Sequence, residues 1–162
     1  MAGLQGASLH AFFERDTFLV PVPRSSPRKQ NAAWPALTIC RALQARGYGQ
    51  GILELLQRTH NIRKASRSPG NRLTILEHLD TLKVQDESFT FSPKLVLVDD
   101  VITKGTMFSA CFLALKRSMP DADIRAFALV RTQGNVDPVT LVDPSLGKVL
   151  VDTLHWTCTR IP

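Results

Sequence analysis

The sequence is short of several things that particular folds require. Its three cysteines, Cys40, Cys111 and Cys158, stand far apart, with no C-x-x-C pair and an odd count. That argues against a disulfide framework and against a zinc ribbon. No apolar run approaches the roughly 18 residues that a membrane helix needs. The opening residues, MAGLQGASLHAFFERD, lack a basic stretch followed by an apolar core, so no secretory signal is evident. His10, His60, His78 and His155 show no metal-ligand spacing. No internal repeat, low-complexity tract or long linker divides the chain. What remains is one cytoplasmic domain over residues 1–162, without a membrane partner and long enough to bury its own core.

Acid is scarce in one place. Residues 24–72 hold ten Lys/Arg and a single acid, whereas the other residues hold ten Lys/Arg and thirteen acids. The net charge of +6 therefore belongs to one part of the chain. Such a stretch implies an anionic partner, which is phosphate, pyrophosphate or nucleic acid, unless it is simply a solvated basic surface. Residues 58–72 (RTHNIRKASRSPGNR) contain no acid, one Pro-Gly turn and little apolar spacing, and read as a mobile basic loop.

Periodicity supplies the elements. Residues 17–22 (TFLVPV) read as a buried strand, which Pro21 demotes toward an edge or a strand end. A polar basic turn follows at Pro23, Arg24, Ser25, Ser26 and Pro27. A helix fits residues 35–46, with Pro35 in the first turn, Ala36, Ile39, Cys40 and Leu43 on one face, and Gly47 as the C-terminal cap. Residues 52–56 (ILELL) suggest a short strand, and residues 73–82 a helix or turn. Gly47, Gly49 and Gly51 lack the strand-to-helix setting of a dinucleotide site and read as a turn. Residues 94–98 (KLVLV) form a continuous apolar strand of the kind buried on both faces. Phe108, Cys111, Phe112 and Leu115 then recur at helical spacing, and residues 124–130 (IRAFALV) give the next strand. Strand, helix and strand with short connections imply a right-handed parallel βαβ unit and an α/β fold. A final strand is expected at residues 148–151.

Chemistry concentrates at residues 95–107. Here a buried strand ends in Asp99 and Asp100, passes through a turn containing Gly105, and opens a helix. Ligands of open parallel sheets bind outside the carboxyl ends of the strands, where this turn must lie. Unpaired amides at a helix N-terminus favour an anion, and Gly105 lets the backbone curl around one. Thr103 and Thr106 add hydroxyl donors. Ionised carboxylates only accept hydrogen bonds, which suits them to a vicinal diol. Phosphate donors beside diol acceptors describe a site for a ribose 5-phosphate.

The segment Asp99-Asp100-Val101-Ile102-Thr103-Lys104-Gly105-Thr106-Met107 resembles the phosphoribosyl pyrophosphate (PRPP) motif of type I phosphoribosyltransferases, D-D-x-x-T-T-G-x-T after an apolar strand. It departs from the motif at Lys104, where Thr or Ser is usual, and at Met107, which replaces a hydroxyl residue. The Lys104 side chain either adds charge to the phosphate site or points to solvent. Val20-Pro21-Val22-Pro23-Arg24 and the basic segment at residues 58–72 also resemble the ComF-like branch of that family.

The resemblance implies a mostly parallel sheet of about five strands, flanked by helices, with a small hood from the terminal segments. It implies that Thr103, Lys104, Gly105, Thr106 and Met107 hold the 5-phosphate, while Asp99 and Asp100 are the catalytic carboxylates at the ribose. Arg24, Ser25 and Ser26 would meet pyrophosphate with Mg²⁺, and a flexible loop bearing Arg58, Arg63 and Lys64 would close over the site. The activity implied is transfer of a ribose 5-phosphate group to a nitrogen nucleophile with release of pyrophosphate. Dimerisation is common in the family, so a homodimer joins the expected partners. Two alternatives stand beside the transferase. One is a PRPP or nucleotide sensor with weak or no catalysis, motivated by Lys104 and Met107. The other is a ComF-like nucleic-acid binder using residues 24–72, although the single tyrosine and scarce aromatics give it little capacity to stack bases.

Overall fold

Side-chain alternation along two apolar strands sets the layers of the molecule. The computed structural model describes residues 12–27, 32–62, 73–85, 89, 91–132 and 145–161. Among these the order is β1 (Thr17–Pro21), α1 (Pro35–Gln44), β2 (Gly51–Ile52), β3 (Leu56–Arg58), α2 (Ile75–Leu79), β4 (Leu82–Val84), β5 (Lys94–Ile102), α3 (Thr106–Ser118), β6 (Asp123–Arg131), β7 (Lys148–Asp152) and β8 (Thr157–Ile161). A four-stranded sheet runs β2-β1-β5-β6, and every pairing in it is parallel. The fold is thus α/β, with one parallel strand fewer among the described residues than the five or so expected. The other described strands form two antiparallel ladders, β3 with β4 and β7 with β8.

In the central strands, successive side chains point to opposite faces. Val20, Val22, Leu95 and Leu97 pack on one face against Leu55, Ile75, Phe108, Cys111 and Leu115. Leu19, Val96 and Val98 pack on the other face against Phe13 and Cys40 of α1. Helices therefore cover both sides of the sheet, α1 on one and α3 on the other. That is what two crossovers of one hand require when they leave the neighbouring strands β1 and β5 in opposite directions.

Several local expectations hold and others change. Pro35 starts α1, and beyond its end Gly47 is left-handed at φ 81°. The Gly47 and Tyr48 amides donate to Gln44 O and Leu43 O, a Schellman closure. Pro21 ends its strand but does not mark an edge, because β1 lies between β2 and β5. The Val22 amide bonds Val98 O, so the nitrogen of Pro21 turns the other way, past the end of β2. Residues 52–56 are not one strand: Ile52 ends β2 and Leu56 begins β3 in a different ladder. β5 does not stop at the carboxylates but runs through Asp99 and Asp100 to Ile102, because β6 stays in register as far as Arg131. Phe112 is exposed, since the buried stripe of α3 runs through Phe108, Cys111, Ala114 and Leu115. The last strand acquires a partner, β8, that its weak apolar pattern did not announce. No helix among the described residues is long and apolar enough to cross a membrane.

Candidate functional site

The two directions of crossover diverge between β1 and β5, and this is where a parallel sheet opens a crevice at its carboxyl edge. A cleft of about 670 Å³ lies there. The residues just after β1, Pro23, Arg24 and Ser25, form one wall; the end of β5 and the start of α3, Asp99 to Thr103 and Gly105 to Phe108, form another. Arg58, Ile62, Leu73 and His78 close a third side, with Trp34, Pro35 and Ala36 near the start of α1.

Asp99 and Asp100 both line the cleft but sit in different surroundings. Asp99 follows the face of Leu95 and Leu97, under α3, and Asp100 follows that of Val96 and Val98, toward α1. Burial pushes the Asp99 carboxyl up to about 7, with the neighbouring Asp100 charge adding to it and the Asp100 amide opposing it. The Asp100 amide donates to Asp99 Oδ1 and the Val101 amide to Asp100 Oδ1, each at 2.9 Å.

The following turn is shaped for an anion. Gly105 caps α3 at φ 92° with no side-chain cap on the first-turn amides, so those donors remain available. A Cβ at Gly105 would come within 2.8 Å of Val149 on β7. Thr106 Oγ1 lies 3.4 Å from Cys158 Sγ, and that thiol reaches Lys104 O at 3.4 Å. The β7–β8 ladder thus braces the outside of the turn. Thr103, Gly105, Thr106 and Met107 line the cleft, while Lys104 is exposed and does not. Of the two placements open for its side chain, solvent is the one found.

Arg58 corrects an expectation. It belongs to β3 rather than to a mobile loop, and only 6% of it is exposed. Its Nε donates to Arg24 O at 3.1 Å and its Nη1 to His78 O at 3.1 Å and to Thr81 Oγ1. Its Nη2 meets His78 Nδ1 at 3.0 Å and Met107 Sδ at 2.8 Å. Every acceptor is neutral, and no carboxylate among the described residues pairs with it. Burial draws the guanidinium pKa down, yet an arginine stays charged in proteins. A buried positive charge that no described carboxylate pairs with therefore sits against Met107 in the first turn of α3, where it favours an anionic ligand.

The basic turn is held from the same direction: the Ile62 amide donates to Ser25 O at 2.9 Å. Arg24 and Ser25 line the cleft and Ser26 does not. Arg63 and Lys64, expected in the closing loop, lie outside the described residues. Since Arg58 faces inward, it is also withdrawn from any nucleic-acid surface that residues 24–72 were expected to form. Sequence reasoning assigned no role to His78 or Trp34 in the cleft. Trp34 Nε1 donates to Val22 O at 2.8 Å and so is fixed to the end of β1.

Among the described residues no three His, Cys, Asp or Glu side chains converge to cage a metal. Two carboxylates facing an open cleft do fit Mg²⁺, which keeps several waters and is commonly shared with substrate phosphates. In comparisons with known proteins, no family model matches the chain and no curated protein matches it.

Proposed function

We propose that the chain is a PRPP-dependent phosphoribosyltransferase that moves a ribose 5-phosphate group to a nitrogen nucleophile. The observation that carries this is the convergence, in one cleft at the sheet's switch point, of paired carboxylates and an uncapped helix N-terminus at a left-handed glycine. On this reading β2-β1-β5-β6 is the core of a type I phosphoribosyltransferase sheet of about five strands, and β7–β8 belongs to its hood. The α3 amides with the Thr103 and Thr106 hydroxyls take the 5-phosphate. Asp99 and Asp100 accept from the ribose hydroxyls, and Arg24 and Ser25 face the pyrophosphate.

In the reaction the bond from C1 to pyrophosphate breaks, the nucleophile's lone pair forms the new C1–N bond, and the nitrogen loses its proton. Positive charge develops on the ribose ring as the C1 bond lengthens, and fixed carboxylates beside the ring stabilise it. Negative charge grows on the departing pyrophosphate, where Arg24 and the field of Arg58 oppose it. Mg²⁺, when bound with PRPP and within reach of Asp99 and Asp100, supplies further neutralisation of the leaving group.

The test is pyrophosphate release from PRPP and Mg²⁺ with a panel of nitrogen nucleophiles, including free bases, ammonia and aromatic amines. At least one nucleophile should drive release by the wild type, and Asp99→Asn/Asp100→Asn should lower the rate by about 10²-fold or more. Release that no nucleophile stimulates would contradict a transferase. PRPP binding without release would favour the sensor instead.

A further inference from the structure

His78 stands at the end of α2, far in sequence from the carboxylates, yet it lines the same cleft. Its Nδ1 lies 3.0 Å from Arg58 Nη2. A guanidinium can only donate, so Nδ1 must accept and carries no proton. The ring is thereby fixed as the neutral tautomer with its hydrogen on Nε2. Burial and the Arg58 charge work in the same direction, holding the imidazole down at about 4. No described residue bonds Nε2. His78 lines the cleft, and with Nδ1 held by Arg58 the Nε2–H is the donor its ring has left to offer a ligand there.

The same Arg58 Nη2 that holds the ring also holds Met107 Sδ at 2.8 Å, in the first turn of α3. The His78 ring is thus a neighbour of the helix N-terminus, at a point of the turn where Met107 brings no hydroxyl. The buried Arg58 charge, which no described carboxylate pairs with, thus lies between the His78 ring and the first turn of α3.

We infer that His78 is a neutral hydrogen-bond donor, through Nε2–H, to a phosphoryl oxygen of the bound ligand, with Arg58 as the positioning residue that fixes its tautomer. This deepens the proposed function, on which it rests only for the ribose that bears the phosphate. The neutral donor adds a directed bond without a further positive charge beside Arg58.

The experiment pairs calorimetry with nitrogen-15 NMR of the histidine side chains, using inorganic phosphate and ribose 5-phosphate as probes at pH 8. His78→Asn keeps an acceptor near the Nδ1 position for Arg58 and removes the Nε2 donor. It should weaken both probes about tenfold or more, as expected for loss of a hydrogen bond to a charged group, with an unchanged melting temperature. In the wild type, Nδ1 of His78 should be unprotonated and the Nε2–H resonance should move on adding phosphate, a signature that a purely structural role would not give. Unaltered affinity in His78→Asn, or a protonated Nδ1 in the wild type, overturns the assignment. A wild type that binds neither probe overturns it together with the transferase. If His78→Asn weakens inorganic phosphate while Asp99→Asn/Asp100→Asn leaves ribose 5-phosphate binding intact, the donor stands and the ribose assignment falls.

Discussion

Asp99 and His78 are half-buried beside the same cleft, and burial shifts each toward its neutral form. Folding moves Asp99 from 3.8 to about 7, so between those values the folded chain binds more protons than the unfolded one. Stability then falls as pH rises through that window. His78 moves the other way, from 6.5 to about 4. Here the unfolded chain binds the extra proton, and stability rises with pH over nearly the same range. The two slopes largely cancel in the wild type. Single variants should separate them in urea denaturation between pH 4.5 and 7.5. Asp99→Asn should gain stability as pH rises, and His78→Asn should lose it. Each trend should be on the order of 2 kcal/mol, less than the full shift implies because both side chains open on the cleft. Variants that both track the wild type would show that neither group is shifted as described.

At the scale of elements, the Gly105 turn is confined from two sides. Its left-handed backbone resists any side chain, and Val149 on β7 occupies the space that a Cβ would need. Valine is stiff at χ1 and cannot swing away cheaply. Gly105→Ala should cost about 3 kcal/mol in the wild type but only about 1–2 kcal/mol in a Val149→Ala background, where the backbone strain alone remains. Equal costs in the two backgrounds, by equilibrium denaturation, would show that β7 does not brace the turn. Much of this region was legible in the sequence. A continuous apolar run, a helical stripe and a second run fixed β5, α3 and β6, and the site residues of that segment are contiguous. What could not be read depends on contacts between distant segments. Nothing in the three residues of β3 (LQR) shows that Arg58 turns inward to meet Arg24, His78 and Met107. The extension of β5 past its carboxylates depends on pairing with β6, and β8 (TCTRI) carries too few apolar residues to stand out.

Across the whole molecule, the cleft has two electrical sides. Asp99 and Asp100 enter from β5, whereas Arg24 and the buried Arg58 come from the chain's acid-poor stretch. Neither side is next to the other in sequence. The sheet brings Arg24 to the carboxylates because β1 and β5 are neighbours while their crossovers run apart, and Arg58 reaches Arg24 O from the β3–β4 ladder. That polarity suits a ligand with an anionic leaving group at one end and an incipient cation in the middle, as PRPP has. The most direct test is PRPP binding by isothermal calorimetry, with and without Mg²⁺, on the wild type and on Asp99→Asn/Asp100→Asn. Mg²⁺-dependent binding by the wild type that disappears in the double variant is the predicted result. No binding by the wild type, or equal binding by both proteins, would contradict the assignment of this cleft to a ribose 5-phosphate donor.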